Sequence, residues 1–201
     1  MRRLILVGTV AAVAAMLMVA PSAFGQSAGG CQLQGTASFS PGLNQNAQNF
    51  NYSFNGNLSS CQSSEAGAPA SGTVSAGNLV SIGGQVFQEP VASGNGGCAS
   101  STTSGFATVT WADGTKTVLQ YSTSGAAAAV TLQATVAPSV TLQAVNPGPG
   151  QPTSTTVTTT RYAGDTSTGL LAFEPPDPTA CNTPAGVATA GISGVVSLQG
   201  S

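Results

Sequence analysis

Residues 105–124 read GFATVTWADGTKTVLQYSTS, and their reading decides the fold. At the centre, Asp113-Gly114 is the favoured pair for a two-residue type I′ turn, in which both central residues need positive φ. The flanks are rich in Val, Thr, Tyr, Phe and Trp, side chains that suit a pleated, half-buried surface. The stretch therefore predicts a β-hairpin. A two-residue turn would set Val109 opposite Val118, Phe106 opposite Tyr121, and Trp111, the single tryptophan, opposite Lys116. Trp111 would then cap a core at the hairpin's end, with Lys116 placed to lie over its face; the alternative is an exposed binding anchor.

Outward from the hairpin the same pattern recurs. Leu33, Ala37 and Phe39 alternate onto one face until Pro41-Gly42 breaks the run. Phe50, Tyr52, Phe54 and Leu58 alternate in the most aromatic strand. Residues 72–87 hold two short strands interrupted at glycines, and residues 90–104 read as a loop. Downstream, Val130, Leu132, Ala134 and Val136 share a face. The pentapeptide VTLQA at 130–134 returns at 140–144, as two strands reusing one surface pattern. Residues 155–162 form a threonine-rich strand and residues 169–173 a buried one. Pro175, Pro176 and Pro178 keep the next segment extended, and residues 186–198 close the chain with a glycine-broken strand or pair. About ten short strands at such spacing predict an all-β domain, an antiparallel sandwich or a barrel.

The chain begins with Arg2 and Arg3, an apolar run from Leu4 to Ala20, Pro21, and small residues at Ala23 and Gly25. These are the parts of a secretory signal peptide cut after Gly25, with Ala23 and Ala28 as alternative cleavage points. The expected organisation is a signal peptide over residues 1–25 and one all-β domain over residues 26–201. As a retained anchor the apolar run has the bare minimum length, and no positive charge follows it.

Beyond residue 25 the only cations are Lys116 and Arg161, against Glu65, Glu89, Asp113, Asp165, Glu174 and Asp177. Nothing here neutralises a row of phosphates, which argues against nucleic acid as a partner. The same scarcity argues against an anionic membrane surface once the signal is removed. The four cysteines, Cys31, Cys61, Cys98 and Cys181, imply two disulfides in an exported chain. Three pairings exist. Cys31–Cys61 brackets one candidate hairpin and is favoured, with Cys98–Cys181 as the long-range bridge. A zinc site is the weaker reading, because the spacings contain no CxxC and the chain has no histidine.

The absence of histidine also removes the common general base and the Ser-His-Asp and Cys-His nucleophile systems. No phosphate-binding loop or dinucleotide fingerprint is present. No catalytic, cofactor-binding or metal-binding residue is therefore expected. Glu174 and Asp177, with Asp165 near them, are the remaining candidates for acid–base chemistry. A glycoside hydrolase needs two carboxyls across a cleft, usually with more aromatics than this chain carries. The competing reading is that these acids are solvated and keep an exported protein soluble.

The segments GTASFSPGL (35–43), TVTWADG (108–114), LAF (171–173) and PTAC (178–181), with Cys61 between them, resemble small exported proteins of actinobacteria. The resemblance implies a disulfide-bonded β domain exported from a Gram-positive bacterium, and it carries over no catalytic residue. The expected function is a non-catalytic extracellular or cell-wall-associated β module, structural or ligand-binding. A cell-wall glycan or another extracellular protein would be its partner. The alternative is a carbohydrate-active hydrolase using Glu174 and Asp177.

Overall fold

A computed structural model describes residues 28–200 of the chain. The predicted signal peptide and its cleavage point lie outside the described residues. The elements are β1 Ala28–Leu43, β2 Gln48–Ser63, β3 Gly72–Ala76, β4 Leu79–Ile82, β5 Gln85–Gln88, β6 Ala92–Gly96, β7 Ser100–Trp111, β8 Lys116–Ala126, β9 Ala129–Ala137, β10 Ser139–Ala144, β11 Ser154–Thr158, β12 Thr166–Glu174 and β13 Val187–Gln199. A single 3-10 turn, Pro178–Asn182, precedes β13.

All pairings are antiparallel. β3 and β6 lie end to end in one strand position. β3 pairs with Phe54–Leu58 of β2 and Thr108–Trp111 of β7, while β6 pairs with Gln48–Tyr52 and Ser101–Ser104. Counting them as one, the wall runs β1, β2, β3/β6, β7, β8, β9, β12, β13 and back to β1. This is a closed up-and-down barrel with eight strand positions. Of the two architectures the sequence allowed, the barrel is the one formed, and closure leaves no strand edge in the wall.

Two hairpins leave the barrel and return. β4–β5 departs between β3 and β6, and β10–β11 between β9 and β12. Together they form a second sheet in the order β11-β10-β5-β4. It covers the outer wall with its own core of Phe87, Val118, Val140, Leu142 and Val157. Where β4–β5 departs, the buried Glu89 carboxylate accepts from Ser75 Oγ at 2.7 Å and from the Asn78 amide at 3.1 Å. Asn78 Nδ2 donates in turn to the Phe54 and Ala76 carbonyls. A carboxylate can be buried there because both its oxygens are bonded.

Alternation assigns each barrel strand an inner and an outer face. Leu33, Leu58, Val74, Val109, Ala134 and Leu171 point inward and share one core. Gln32, Gln34, Asn55 and Asn57 are exposed on the outer wall. Among the described residues no helix is long and apolar enough to cross a membrane. On β12 and β13 the outer wall also exposes Leu170 and Val195, which face each other across the ladder.

Cys31 is bonded to Cys61 and Cys98 to Cys181, and no cysteine is free. Two disulfides fit an oxidising environment.

Several sequence expectations are corrected. The Asp113-Gly114 connection is not a two-residue turn. The Trp111 amide donates to the Thr115 carbonyl and the Gly114 amide to the Trp111 carbonyl, so Ala112, Asp113 and Gly114 form a three-residue loop. The register moves by one: Val109 faces Thr117, Thr110 faces Lys116, and Thr108 faces Val118. Phe106 and Tyr121 therefore lie on opposite faces of the wall. Phe106 packs under the second sheet, while Tyr121 points into the barrel. β1 also continues through Pro41 to Leu43 across a bulge. Residues 92–96 and 100–104, read as loop, are strands.

Candidate functional site: the barrel interior

The barrel encloses a cavity of about 160 Å3. A void of this size compares with the engineered ~150 Å3 apolar cavity that admits a benzene-sized guest. Alternation on eight strands builds the lining. β1 contributes Leu33, β3 Val74, β8 Leu119, β9 Leu132, β12 Leu171 and β13 Ile192. Small inward residues keep the space open, notably Ala37, Ala76 and Ala107. Glycine works differently at position 56. A Cβ there would lie 2.6 Å from Phe54 Cζ, so Gly56 lets the Phe54 ring lie flat against the wall.

One end of the barrel is sealed by a linked set of side chains. Trp111, 4 % exposed, meets Tyr162 edge-on with ring centroids 5.4 Å apart. Its indole Nε1 donates to Thr117 Oγ1 at 2.9 Å, and Thr117 donates to the Arg161 carbonyl. The Arg161 guanidinium stands 5.5 Å over the Tyr162 ring. It pairs with Glu65 and Asp113, each at 3.2 Å, and donates to the Gly67 carbonyl. One arginine thus ties together the β2–β3 loop, the β7–β8 turn and the segment entering β12. The expected cation over Trp111 is not Lys116, whose Nζ donates to Thr110 Oγ1 on the outer wall. The stacked cation is Arg161, on Tyr162. The Asp113 carboxyl is held below its ordinary range, first by hydrogen bonds from the Thr115 hydroxyl and amide and then by the Arg161 charge.

Toward the opposite end the wall turns polar on one side. The Tyr121 and Tyr52 hydroxyls are hydrogen-bonded to each other. Tyr52 donates to Thr103 Oγ1 at 3.2 Å, and Thr103 and Thr123 share a bond of 2.6 Å. All four side chains line the cavity. Burial pushes both phenols above their ordinary value, Tyr121 by far the more, with the neighbouring Tyr52 and Glu89 adding to the effect. Both therefore remain neutral hydroxyls across the physiological range. Above this group, Phe39, Phe50, Tyr52 and Phe173 form an aromatic cluster beside the Cys98–Cys181 bridge.

The carboxylates singled out from the sequence lie elsewhere. Glu174 is exposed at the end of β12 and accepts from Ser193 Oγ at 2.9 Å. Asp177 caps the 3-10 turn, accepting from the Thr179 amide and hydroxyl, which hold its carboxyl below the usual range. Asp165 is buried in the loop before β12. None of the three lines the cavity. Among the described residues no three His, Cys, Asp or Glu side chains gather as a metal site would require.

Sequence reading missed the hydroxyl group altogether. Tyr52, Thr103, Tyr121 and Thr123 are up to 71 positions apart and meet only because the barrel closes. Their one sequence signal is that each falls on an inward phase of its strand, where an aliphatic residue is the norm. The site therefore defines a class, a closed β-barrel with an apolar interior and a hydroxyl-bearing wall. No protein-family model, curated protein or solved structure matches the chain.

Proposed function

We propose that this chain is an exported, non-catalytic binding module, extracellular or cell-wall-associated, whose barrel holds a small apolar ligand. The cavity carries the reading. It is a space of about 160 Å3, lined mainly by aliphatic and aromatic side chains, in a barrel whose strand number suits one small ligand. Well-packed interiors leave few voids larger than a water molecule, so a retained cavity of this size asks for an occupant. The disulfides support export, since they persist outside reducing compartments.

The test uses Trp111, the sole tryptophan and part of the cavity's base, as reporter. Titration with benzene or methylcyclohexane should change its emission and raise the thermal midpoint, because a ligand that binds only the folded state stabilises it by mass action. Ala107→Leu places a larger side chain in the same space. It should keep or raise the midpoint, as cavity-filling commonly adds about 0.5–2 kcal/mol, and should abolish both ligand effects. A parent protein whose emission and midpoint ignore both probes would refute the reading.

A further inference from the structure

The hydroxyl group allows the ligand to be specified further, an inference that rests on the reading of the cavity as a binding site. Four hydroxyls carry four hydrogens, and they are joined by three hydrogen bonds. Tyr52 spends its hydrogen on Thr103, so the bond between the two phenols takes the hydrogen of Tyr121. The bond between Thr103 and Thr123 uses one of the two threonine hydrogens. One threonine hydrogen is left over, on a side chain that faces the cavity. Thr103 and Thr123 are half-buried on the cavity wall, and the spare hydrogen has no acceptor among their hydrogen bonds, so a ligand oxygen placed beside it gains a hydrogen bond.

No charged side chain lines the cavity. A carboxylate, phosphate or ammonium brought inside would lose its hydration without meeting an opposite charge, which is prohibitive in an apolar enclosure. We infer that the barrel takes a neutral, mainly hydrocarbon molecule, roughly the size of a substituted six-membered ring, with one acceptor oxygen seated on the Thr103–Thr123 pair. Ketones, esters, lactones and ethers belong to this class. Fatty acids in their ionised form, sugars and amines do not. The rest of the ligand would lie against Leu119, Leu132 and Ile192, with Trp111 at the far end.

Three probes of similar size separate the possibilities in the purified full-length protein: cyclohexanone, methylcyclohexane and cyclohexanecarboxylate. Binding is followed by Trp111 emission and calorimetry, and the bound ketone by its infrared carbonyl band. The ketone and the hydrocarbon are expected to bind and the carboxylate not. The carbonyl band of bound cyclohexanone should fall below its position in hexane, as a hydrogen-bonded carbonyl does. In the double variant Thr103→Val/Thr123→Val the band should move back toward the hexane position. Ketone affinity should drop about tenfold, the effect of one net hydrogen bond, while methylcyclohexane affinity stays unchanged. The inference is overturned if the carboxylate binds as tightly as the ketone, or if the bound carbonyl band sits at its hexane position. Both of these readings come from the parent protein, so they stand even if the double variant fails to fold. If the hydrocarbon binds while either overturning result is seen, the cavity is a binding site and only the ligand class is wrong. If none of the three binds, the binding reading itself fails.

Discussion

At the level of single residues, two polar groups matter beyond packing: the buried Tyr121 and the half-buried Arg161. Tyr121 is held as a neutral phenol, chiefly by burial. In the unfolded chain a tyrosine ionises near 10.0, the ordinary value. Above that pH the unfolded state sheds a proton that the folded state keeps, so stability present below pH 10 is lost as pH rises. The slope is about 1.4 kcal/mol per pH unit for each such phenol. Tyr121→Phe should therefore flatten the alkaline limb of a stability profile by that amount, while Tyr52, raised in the same direction, keeps part of it. Urea midpoints between pH 9 and 12 measure it, and identical limbs in parent and variant would show that Tyr121 is not buried. Arg161 acts at the sealed end. Arg161→Met keeps much of the aliphatic stem but releases Glu65, Asp113 and the Gly67 carbonyl. The three loops should then open locally while the barrel survives, seen as faster amide exchange at residues 64–68 and 112–115 with a small change in midpoint.

At the scale of the element, the β7–β8 hairpin sets a limit on what the sequence discloses. Asp113-Gly114 marks the turn correctly. It does not distinguish a two-residue loop from a type I turn closed by a left-handed glycine, because both use the same residue pair. Gly114 has φ of 82°, and no atom lies within 4 Å of where its Cβ would be. The cost of a side chain there is backbone strain alone. Gly114→Val should lower stability by about 1–2 kcal/mol, whereas Gly114→Asn, which tolerates that region, should lose only a few tenths. Equal thermal midpoints for the two variants would show that the left-handed geometry is not required. Other strands differ in legibility for physical reasons. β2 is evident because Phe50, Tyr52, Phe54 and Leu58 alternate. β6, Ala92–Gly96 with sequence ASGNG, has no β-branched residue, and its strand form comes from being paired on both sides, by β2 and β7. Of its two glycines, Gly94 has a purpose, since the Phe50 ring packs where a side chain on it would stand. The repeated VTLQA misleads as to location. In β9 its Val130 and Leu132 line the barrel, while in β10 Val140 and Leu142 fill the core under the second sheet.

For the molecule as a whole, closure and covalent bridging carry the argument. The barrel closes by pairing β1 with β13, the first and last described strands, over registers from Ala28–Gln199 to Leu43–Val187. Such a contact forms only after a long loop is closed, and the two disulfides limit that loop entropy differently. Cys31–Cys61 spans 30 positions within the β1–β2 hairpin, whose ladder already holds the cysteines close. Cys98–Cys181 spans 83 positions and joins the β6–β7 connection to the 3-10 turn, which no strand ladder joins. The chain-entropy model gives about 3.6 kcal/mol for the shorter loop and about 4.5 kcal/mol for the longer. The expected difference is therefore about 1 kcal/mol, with a structural consequence added. Cys98→Ser/Cys181→Ser should be the more destabilising pair, and it should also loosen the rim beside the Phe39, Phe50 and Phe173 cluster. Cys31→Ser/Cys61→Ser should lower the midpoint less and leave that rim intact. Urea midpoints give the order, and hydrogen exchange over residues 97–99 and 178–186 gives the location. If the Cys31–Cys61 variant proved the less stable, strand pairing in the β1–β2 hairpin would depend on its bridge, and the long connection would not be the one that limits the barrel.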